Sequence, residues 1–216
     1  MSSIDCESSA AKADVSVVRA SVSFASEQLI LVDSDDREIG YRSKSEAHAG
    51  AGILHRAFSA FLFDDQGRLL VHRRSLQKPL WPGFWTNSCC SHPRRGESLE
   101  SAVSRRITEE LGVNAQTQFV YKFEYHAKFE DVGSEHELCH VFLARTATPG
   151  KISAHAEEVM EWQWLSVEEV DAWLLERPDD LTPWFRQEWL SLRTLYRAEL
   201  DAFVNEVRNS TQRGAA

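Results

Sequence analysis

The stretch Trp81–His92, reading WPGFWTNSCCSH, constrains the fold of this chain more than any other. Its Trp-Pro-Gly start predicts a tight turn, because proline presets φ and glycine permits the positive φ that often follows. The next residues, Phe84–Ser91, predict a β-strand of aromatic and small polar residues. Side chains two apart share one face of a strand, so Cys90 and His92 should point one way and Cys89 the other. A thiol beside an imidazole is a candidate reactive or metal-binding pair.

A helix is predicted directly after this stretch, over Ser98–Leu111. Its buried stripe is formed by apolar residues that recur four apart: Leu99, Val103, Ile107 and Leu111. Gly112 follows at the position where glycine commonly ends a helix. Arg106 and Glu110 lie along the border of the stripe, where a cleft could use them.

Apolar and alternating segments predict β-strands on both sides of that helix. They are Glu27–Asp33, Ile39–Arg42, His55–Phe63, Arg68–Arg74, Val120–Phe129, Glu137–Thr146 and Val159–Leu165. His55–Phe63 is apolar enough for a central strand, and Asp64–Gly67 predicts a hairpin turn to the next strand. Two more helices are predicted, one from Ser166 to about Leu175 after a capping box, the other from Thr182 to about Val207.

The absence of an internal repeat or a linker predicts a single domain, which we expect to span residues 27–207. Residues 1–26 are rich in serine and alanine without a sustained period. We expect them to be a disordered or loosely packed extension, and residues 208–216 to be a flexible tail.

Composition limits what such a chain binds. Its 216 residues, 43% hydrophobic and 26% charged, are ordinary for a soluble globular protein. The net charge of −9 argues against a general nucleic-acid binder, and no apolar run approaches the length of a membrane span. The first residues lack the pattern of a secretory signal, and four cysteines are too few for a disulfide framework. We expect a cytoplasmic protein with reduced thiols, a monomer or a weak dimer.

A possible metal site is spread along the chain. Its candidate ligands are His48, His55, His92, Glu135 and Glu137. The two glutamates are two apart on a predicted strand, so they face the same way and repel each other unless a positive charge lies between them. A divalent cation would supply that charge. From spacing alone, surface histidines beside a solvated acidic edge are the favoured interpretation, because no compact signature such as H-E-x-x-H is present.

Two further groups suggest a polyanionic ligand. The candidate cations for its phosphates are Lys44, Arg73, Arg74, Lys78 and Arg106. The carboxylates of the predicted helix 98–111 could bind Mg²⁺ that carries a diphosphate. Ordinary surface charge and a helix laced with ion pairs explain the same residues without a ligand.

From Ser91 to Val113 the chain resembles a Nudix box. The residues in register with that pattern are Glu97, Arg105, Glu109, Glu110 and Gly112. Two positions depart from it, since Ser91 replaces the leading glycine and Arg106 replaces the glutamate after the arginine. A Nudix hydrolase uses that glutamate to hold its catalytic metals, so the departure argues against hydrolysis.

Residues from about 27 to about 190 closely resemble the type 1 isopentenyl-diphosphate isomerases, a Nudix-fold family of isoprenoid synthesis. The motifs that carry this resemblance are His48 with His55, RRSLQKPLWPGFWTNSCCSHP (73–93), RRITEELGV (105–113), EHELC (135–139) and TPW (182–184). It implies an α+β fold, a Nudix-type α/β/α sandwich whose mixed central sheet is flanked by helices. The implied reaction converts isopentenyl to dimethylallyl diphosphate by protonation at C4 and deprotonation at C2.

The same resemblance assigns roles to individual residues. The catalytic residues would be Cys90, Glu137 and Tyr125, and the substrate would be held by Lys44, Arg74, Lys78, Arg106 and Trp189. One divalent ion, Mn²⁺, Zn²⁺ or Mg²⁺, would be bound by His48, His55, His92, Glu135 and Glu137. A Mg²⁺ ion that arrives with the substrate diphosphate would be bound by Glu110. The alternatives are a Nudix hydrolase of a nucleoside diphosphate derivative and a non-catalytic metal- or phosphate-binding module.

Overall fold

A computed structural model describes residues 11–12 and 20–214, with side chains from 20 to 209. Residues 1–10, 13–19 and 215–216 lie outside the described residues, and with them most of the predicted N-terminal extension and the end of the predicted tail. The strands are β1 Ala11–Lys12, β2 Gln28–Val32, β3 Glu38–Ser43, β4 His55–Phe63, β5 Leu69–Arg74, β6 Trp85–Thr86, β7 Cys89–Ser91, β8 Gln116–Phe129, β9 Gly133–Arg145 and β10 Val159–Leu165. The α-helices are α1 Lys44–Ala47, α2 Leu99–Leu111, α3 Val167–Glu176, α4 Pro183–Thr194 and α5 Arg197–Gly214. Short 3-10 turns cover Pro149–Lys151 and Pro178–Asp180.

The described strands form one mixed sheet around β4, as expected. One edge of β4 pairs in parallel with β9 over its whole length, from His55 opposite Glu137 to Phe63 opposite Arg145. The other edge is shared in turn by β2, β7 and β5, all antiparallel. Because β7 pairs at the middle of β4, the predicted hairpin between β4 and β5 keeps a single register pair, Phe63 with Leu69.

Alternation along β4 builds a core on each face of the sheet, since successive side chains point to opposite sides. Phe58 and Leu62 pack with the apolar stripe of α2. Phe61 and Phe63 pack on the opposite face with residues of α3, α4 and α5. The predicted sandwich of helices around a mixed sheet is therefore confirmed. Gly112 ends α2 at φ 72°, in the left-handed region that favours glycine, as its position predicts.

Two predicted elements are divided in the structure. The strand predicted over residues 84–91 is broken between β6 and β7. Hydrogen bonds from polar side chains there replace the backbone hydrogen bonds that would pair the strand with its neighbours. Ser88 Oγ donates to the Leu70 carbonyl and accepts from the Leu62 amide, while Asn87 donates to the Ala60 carbonyl.

The prediction of a single last helix is also wrong. The structure has two helices there, and the second continues to Gly214 through most of the predicted tail. The break lies at Leu195–Tyr196, where both amides donate to the Ser191 carbonyl. The Tyr196 ring stacks on Tyr121 at 4.2 Å between centroids and 3° between planes, so a contact with β8 ends α4.

No helix among residues 11–12 and 20–214 is long and apolar enough to cross a membrane.

Candidate active site

Histidine and carboxylate side chains converge at one end of β4. His55 begins β4, and the parallel register sets it directly opposite Glu137 of β9. Glu135 lies two residues before Glu137 on the same face, His48 caps the end of α1, and His92 follows β7. One potential ligand atom of each of these residues lies within 4.8 Å of the others.

The ring nitrogens are oriented toward a common point. His55 Nδ1 lies 2.7 Å from the Ile53 carbonyl and donates to it, which leaves Nε2 with a free lone pair. That Nε2 lies 3.3 Å from His48 Nε2 and 3.2 Å from His92 Nε2. His48 Nε2 is also 3.0 Å from Glu135 Oε2, yet this buried oxygen has no well-oriented hydrogen-bond donor. Lone pairs directed at one another are stabilised by a cation between them.

The protonation states favour a cation as well. Burial acts to raise the pKa of Glu137, but its interactions with His55 and Tyr125 outweigh it and lower that pKa. Burial lowers the pKa of His92 well below its ordinary value. Imidazole nitrogens and carboxylate oxygens that converge in this way form the donor set that suits Zn²⁺ or Mn²⁺, so the residues present fit a divalent metal.

Cys90 lies next to this cluster. Strand alternation is confirmed here, because Cys89 is fully buried under α2 while Cys90 is partly exposed on the face of His92. The Cys90 thiol donates to Asn87 Oδ1 at 2.9 Å and lies 3.3 Å from Ser59 Oγ. Burial, followed by the nearby charge of Glu188, raises the pKa of Cys90.

Tyr125 faces Glu137, one of the two carboxylates of the histidine–glutamate cluster. The β8–β9 register sets Tyr125 opposite Glu137, and its hydroxyl donates to Glu137 Oε2 at 2.7 Å. Burial and the charges of Glu137 and Glu135 raise the pKa of Tyr125 well above its ordinary value. The phenol therefore keeps its proton and remains a hydrogen-bond donor to the carboxylate.

A cluster of cations surrounds a buried carboxylate, Glu158. Lys78 Nζ binds Glu158 Oε2 at 2.5 Å, and Arg106 lies 3.4 Å from Glu158 Oε1 while it also pairs with Glu110. Although burial acts to raise the pKa of Glu158, Lys78 and Arg106 lower it to about 2. Burial, together with repulsion from Lys78, lowers the pKa of Lys44 to about 8. Glu158 was not predicted, because no spacing in the sequence relates it to Lys78 or Arg106.

One cavity of about 580 Å³ joins the two groups. The predicted site residues that line it are Lys44, His48, Arg74, Lys78, Cys90, His92, Tyr125, Glu135 and Glu137. Arg106, Glu110, Trp189 and His55 are buried behind this lining. Arg73, the remaining candidate cation, instead pairs with Glu161 at 3.0 Å.

Residues of the predicted N-terminal extension also reach this cavity. Arg106 donates to the Val22 carbonyl, and Lys44 Nζ donates to Ser23 Oγ at 2.8 Å. Phe24 and Ala25 line the cavity beside them. The described part of the extension therefore contacts the cation cluster.

Comparison with known proteins agrees with this geometry. The NUDIX domain model matches residues 53–185. Isopentenyl-diphosphate Delta-isomerase 1 of Photorhabdus laumondii is 41% identical over 168 residues, which are 77% of this chain and 94% of that protein. The isopentenyl-diphosphate Delta-isomerase of Burkholderia multivorans is 43% identical over 159 residues, which are 74% and 89%. The chain belongs to the isopentenyl-diphosphate isomerase family, within the Nudix superfamily.

Solved structures support the fold alone. A Deinococcus radiodurans protein superposes with a TM-score of 0.56 at 24% identity, covering 70% of this chain and 90% of its own. A MutT protein of Methanosarcina mazei superposes with a TM-score of 0.53 at 19% identity, covering 65% and 93%.

The Nudix box of this isomerase-family chain is held by ion pairs. Arg105 binds Glu97 through two hydrogen bonds of 2.7 and 2.8 Å and Glu109 through one of 3.1 Å. Arg106, at the position where a Nudix hydrolase has a glutamate, pairs with Glu110 and Glu109. A cation thus occupies the place of a metal-binding carboxylate.

The aromatic wall differs from the one that the family resemblance implies. Trp184 lines the cavity, with the Arg74 guanidinium 5.2 Å from its ring centre. Trp189 is buried beneath it, packs on Phe61 and donates from its indole nitrogen to Asp171 at 2.7 Å. Trp184 belongs to the motif TPW, so the sequence contained a signal for this aromatic residue. The family resemblance instead assigned the aromatic role to Trp189.

Proposed function

We propose that this chain interconverts isopentenyl and dimethylallyl diphosphate. The observation that carries this proposal is a single cavity lined by a thiol, a tyrosine–carboxylate pair and a group of cations. A double-bond shift requires a proton donor, a proton acceptor and a grip on the diphosphate, and these three groups supply them. We propose that the catalytic unit is one Nudix-fold domain of residues 27–207, acting in the cytoplasm on a small molecule.

The proton is delivered to C4 by Glu137 or Tyr125, which share a hydrogen bond of 2.7 Å. This leaves a tertiary cation at C3, and Cys90 as thiolate removes a proton from C2 to form the new double bond. The ligands His48, His55, His92, Glu135 and Glu137 would hold one divalent ion. When bound there, the metal supplies positive charge that makes the neighbouring proton more acidic.

The diphosphate is held by Lys44, Arg74, Lys78 and Arg106. Lys78 and Arg106 already bind one anion, the Glu158 carboxylate, which supports their assignment to an anionic ligand. Glu110 would bind the Mg²⁺ that accompanies the diphosphate, since Mg²⁺ prefers to share its ligands with phosphate oxygens and water. These contacts to the diphosphate hold the reacting carbons in place, and the contacts themselves stay the same during the reaction.

The cation formed at C3 must be protected from water. The Trp184 ring on the cavity wall is suited to this, because an indole face attracts a positive charge by about 0.5–2 kcal/mol. Trp189, buried behind the wall, would support it through the aromatic packing of α4.

Incubation with isopentenyl diphosphate and Mg²⁺ in D₂O tests the proposal. Isomerisation incorporates deuterium at C4 and yields an allylic product, which nuclear magnetic resonance detects. Release of phosphate without deuterated product would instead identify a Nudix hydrolase.

A further inference from the structure

An uncharged segment before β2 lies along the end of the cavity where the cations gather. Residues 20–25, reading ASVSFA, have no charged side chain, although the whole chain has a net charge of −9. Ser21, Ser23, Phe24 and Ala25 line the cavity. A carboxylate at this place would repel an anionic ligand, and the segment has none. Its composition therefore fits a wall that faces a diphosphate.

Both ends of this segment are fixed to the fold. His155 Nε2 lies 3.1 Å from the Ala20 carbonyl oxygen and donates to it. At the other end, the backbone amide of Ser45 in α1 donates to the Ala25 carbonyl oxygen at 3.1 Å. Because the two ends are held, the middle of the segment has a defined position against the cation cluster.

Two of the cations bind the middle of the segment without using all their donors. Lys44 Nζ donates to Ser23 Oγ at 2.8 Å, and Arg106 donates to the Val22 carbonyl oxygen. An ammonium group has three N–H donors, and Ser23 Oγ is the one acceptor of Lys44 among the described residues. The buried Nε atom of Arg106 has no hydrogen-bond partner among them. Both cations can therefore bind an anion while the segment stays in place.

The Ser23 hydroxyl group has a hydrogen to donate. A serine hydroxyl has one donor and two acceptor positions, and here its oxygen accepts from Lys44. Its own hydrogen has no acceptor in the part of the chain that the structure describes. Because this hydroxyl contacts the ammonium group directly, an anion oxygen that binds Lys44 comes next to the free hydrogen.

We propose that Ser23 is a further ligand of the substrate diphosphate, and that residues 20–25 form one wall of its binding site. The Ser23 hydroxyl donates to a phosphate oxygen that also accepts from Lys44. This inference rests on the proposed function for the identity of the anion. The diphosphate does not change in the reaction, so the contact acts equally on the ground state and the transition state and lowers KM without changing kcat.

Three variants test the hydroxyl of Ser23 by isothermal titration with inorganic diphosphate in the presence of Mg²⁺. Ser23→Ala removes the donor and should weaken binding about tenfold, the loss of one hydrogen bond to a charged group. Ser23→Thr keeps a hydroxyl at the same place and should bind within about threefold of wild type. Ser26→Ala is the matched control, because Ser26 is exposed and does not line the cavity. It should bind as wild type does.

Kinetics and stability separate this role from a merely structural one. With isopentenyl diphosphate, Ser23→Ala should raise KM about tenfold and keep kcat within about twofold of wild type. Its melting temperature should stay within about 2 °C of wild type, because Ser23 is only partly buried.

Three outcomes would overturn the proposal. They are wild-type affinity for diphosphate in Ser23→Ala, an equal loss of affinity in Ser26→Ala, and a wild-type chain that binds no diphosphate. The titrations use inorganic diphosphate alone and require no turnover. Their result therefore stands whether or not the D₂O experiment finds isomerisation, and isomerisation by wild type with full diphosphate affinity in Ser23→Ala would overturn this inference alone.

Discussion

Two neighbouring thiols have opposite environments at the scale of the residue. Cys90→Ala should lower kcat about 10²–10⁴-fold, the contribution of a positioned acid or base, while the melting temperature and bound metal stay the same. Cys89→Ala should keep most of the activity and lose about 1 kcal/mol of stability, because Cys89 packs under α2. Steady-state kinetics and thermal unfolding of both variants measure this. An essential Cys89 beside a dispensable Cys90 would contradict the assignment.

As a proposed ligand of the substrate diphosphate, Lys44 should make substrate binding depend on pH. With its pKa lowered to about 8, the free enzyme loses this charge as pH rises, so KM should increase about tenfold between pH 7 and pH 9. The unfolded chain keeps the ordinary value of 10.5, so it binds more protons between about 8 and 10.5, and stability rises with pH across that window. Lys44→Arg is the control, because arginine stays charged and should hold KM constant. An equal rise in that variant would assign the dependence to another group.

At the scale of the element, the start of β9 presses against the loop that carries His48. A Cβ atom at Gly133 would lie 2.5 Å from the His48 carbonyl oxygen, which also accepts from the Ser134 amide at 3.0 Å. Gly133→Ala should therefore displace His48 and weaken divalent metal binding at least about tenfold, a loss comparable to that of a metal-site supporting contact.

Gly150→Ala is the matched control, since a Cβ atom there meets nothing within 4 Å. Isothermal titration of the metal-free proteins with Zn²⁺ or Mn²⁺ compares the two variants. Equal metal affinity in both would show that the backbone at Gly133 does not set the position of His48.

At the scale of the whole molecule, the proposed metal ligands connect α1, β4, β7 and β9. Their convergence buries two carboxylates and three imidazoles together, so a bound cation should stabilise the fold. At a metal concentration of 100 Kd this contributes about 2.7 kcal/mol, or roughly 5–10 °C in melting temperature for a chain of this length.

Removal of the metal by a chelator should lower the melting temperature by that amount, and elemental analysis of the purified protein should find one ion per chain. The melting temperature of Glu135→Ala should fall less when the chelator is added, because this variant has already lost one metal ligand. No stoichiometric metal, with full activity in chelator, would contradict a resident metal ion.

The sequence by itself determined the limits of several elements of this protein and the faces on which their side chains lie. The limits of β4 and β10, the end of α2 at Gly112 and the opposite orientations of Cys89 and Cys90 all follow from local rules of periodicity and φ. The family motifs predicted the site residues that line the cavity, because the members of a family share both their motifs and their tertiary structure.

Only the tertiary structure decided the contacts between segments far apart in the chain. Parallel pairing sets His55 opposite Glu137, stacking of Tyr196 on Tyr121 divides the last helix, and folding brings Glu158 between Lys78 and Arg106. Such contacts depend on the packing of a whole sheet and its helices, and local propensity carries no information about which distant residues will meet.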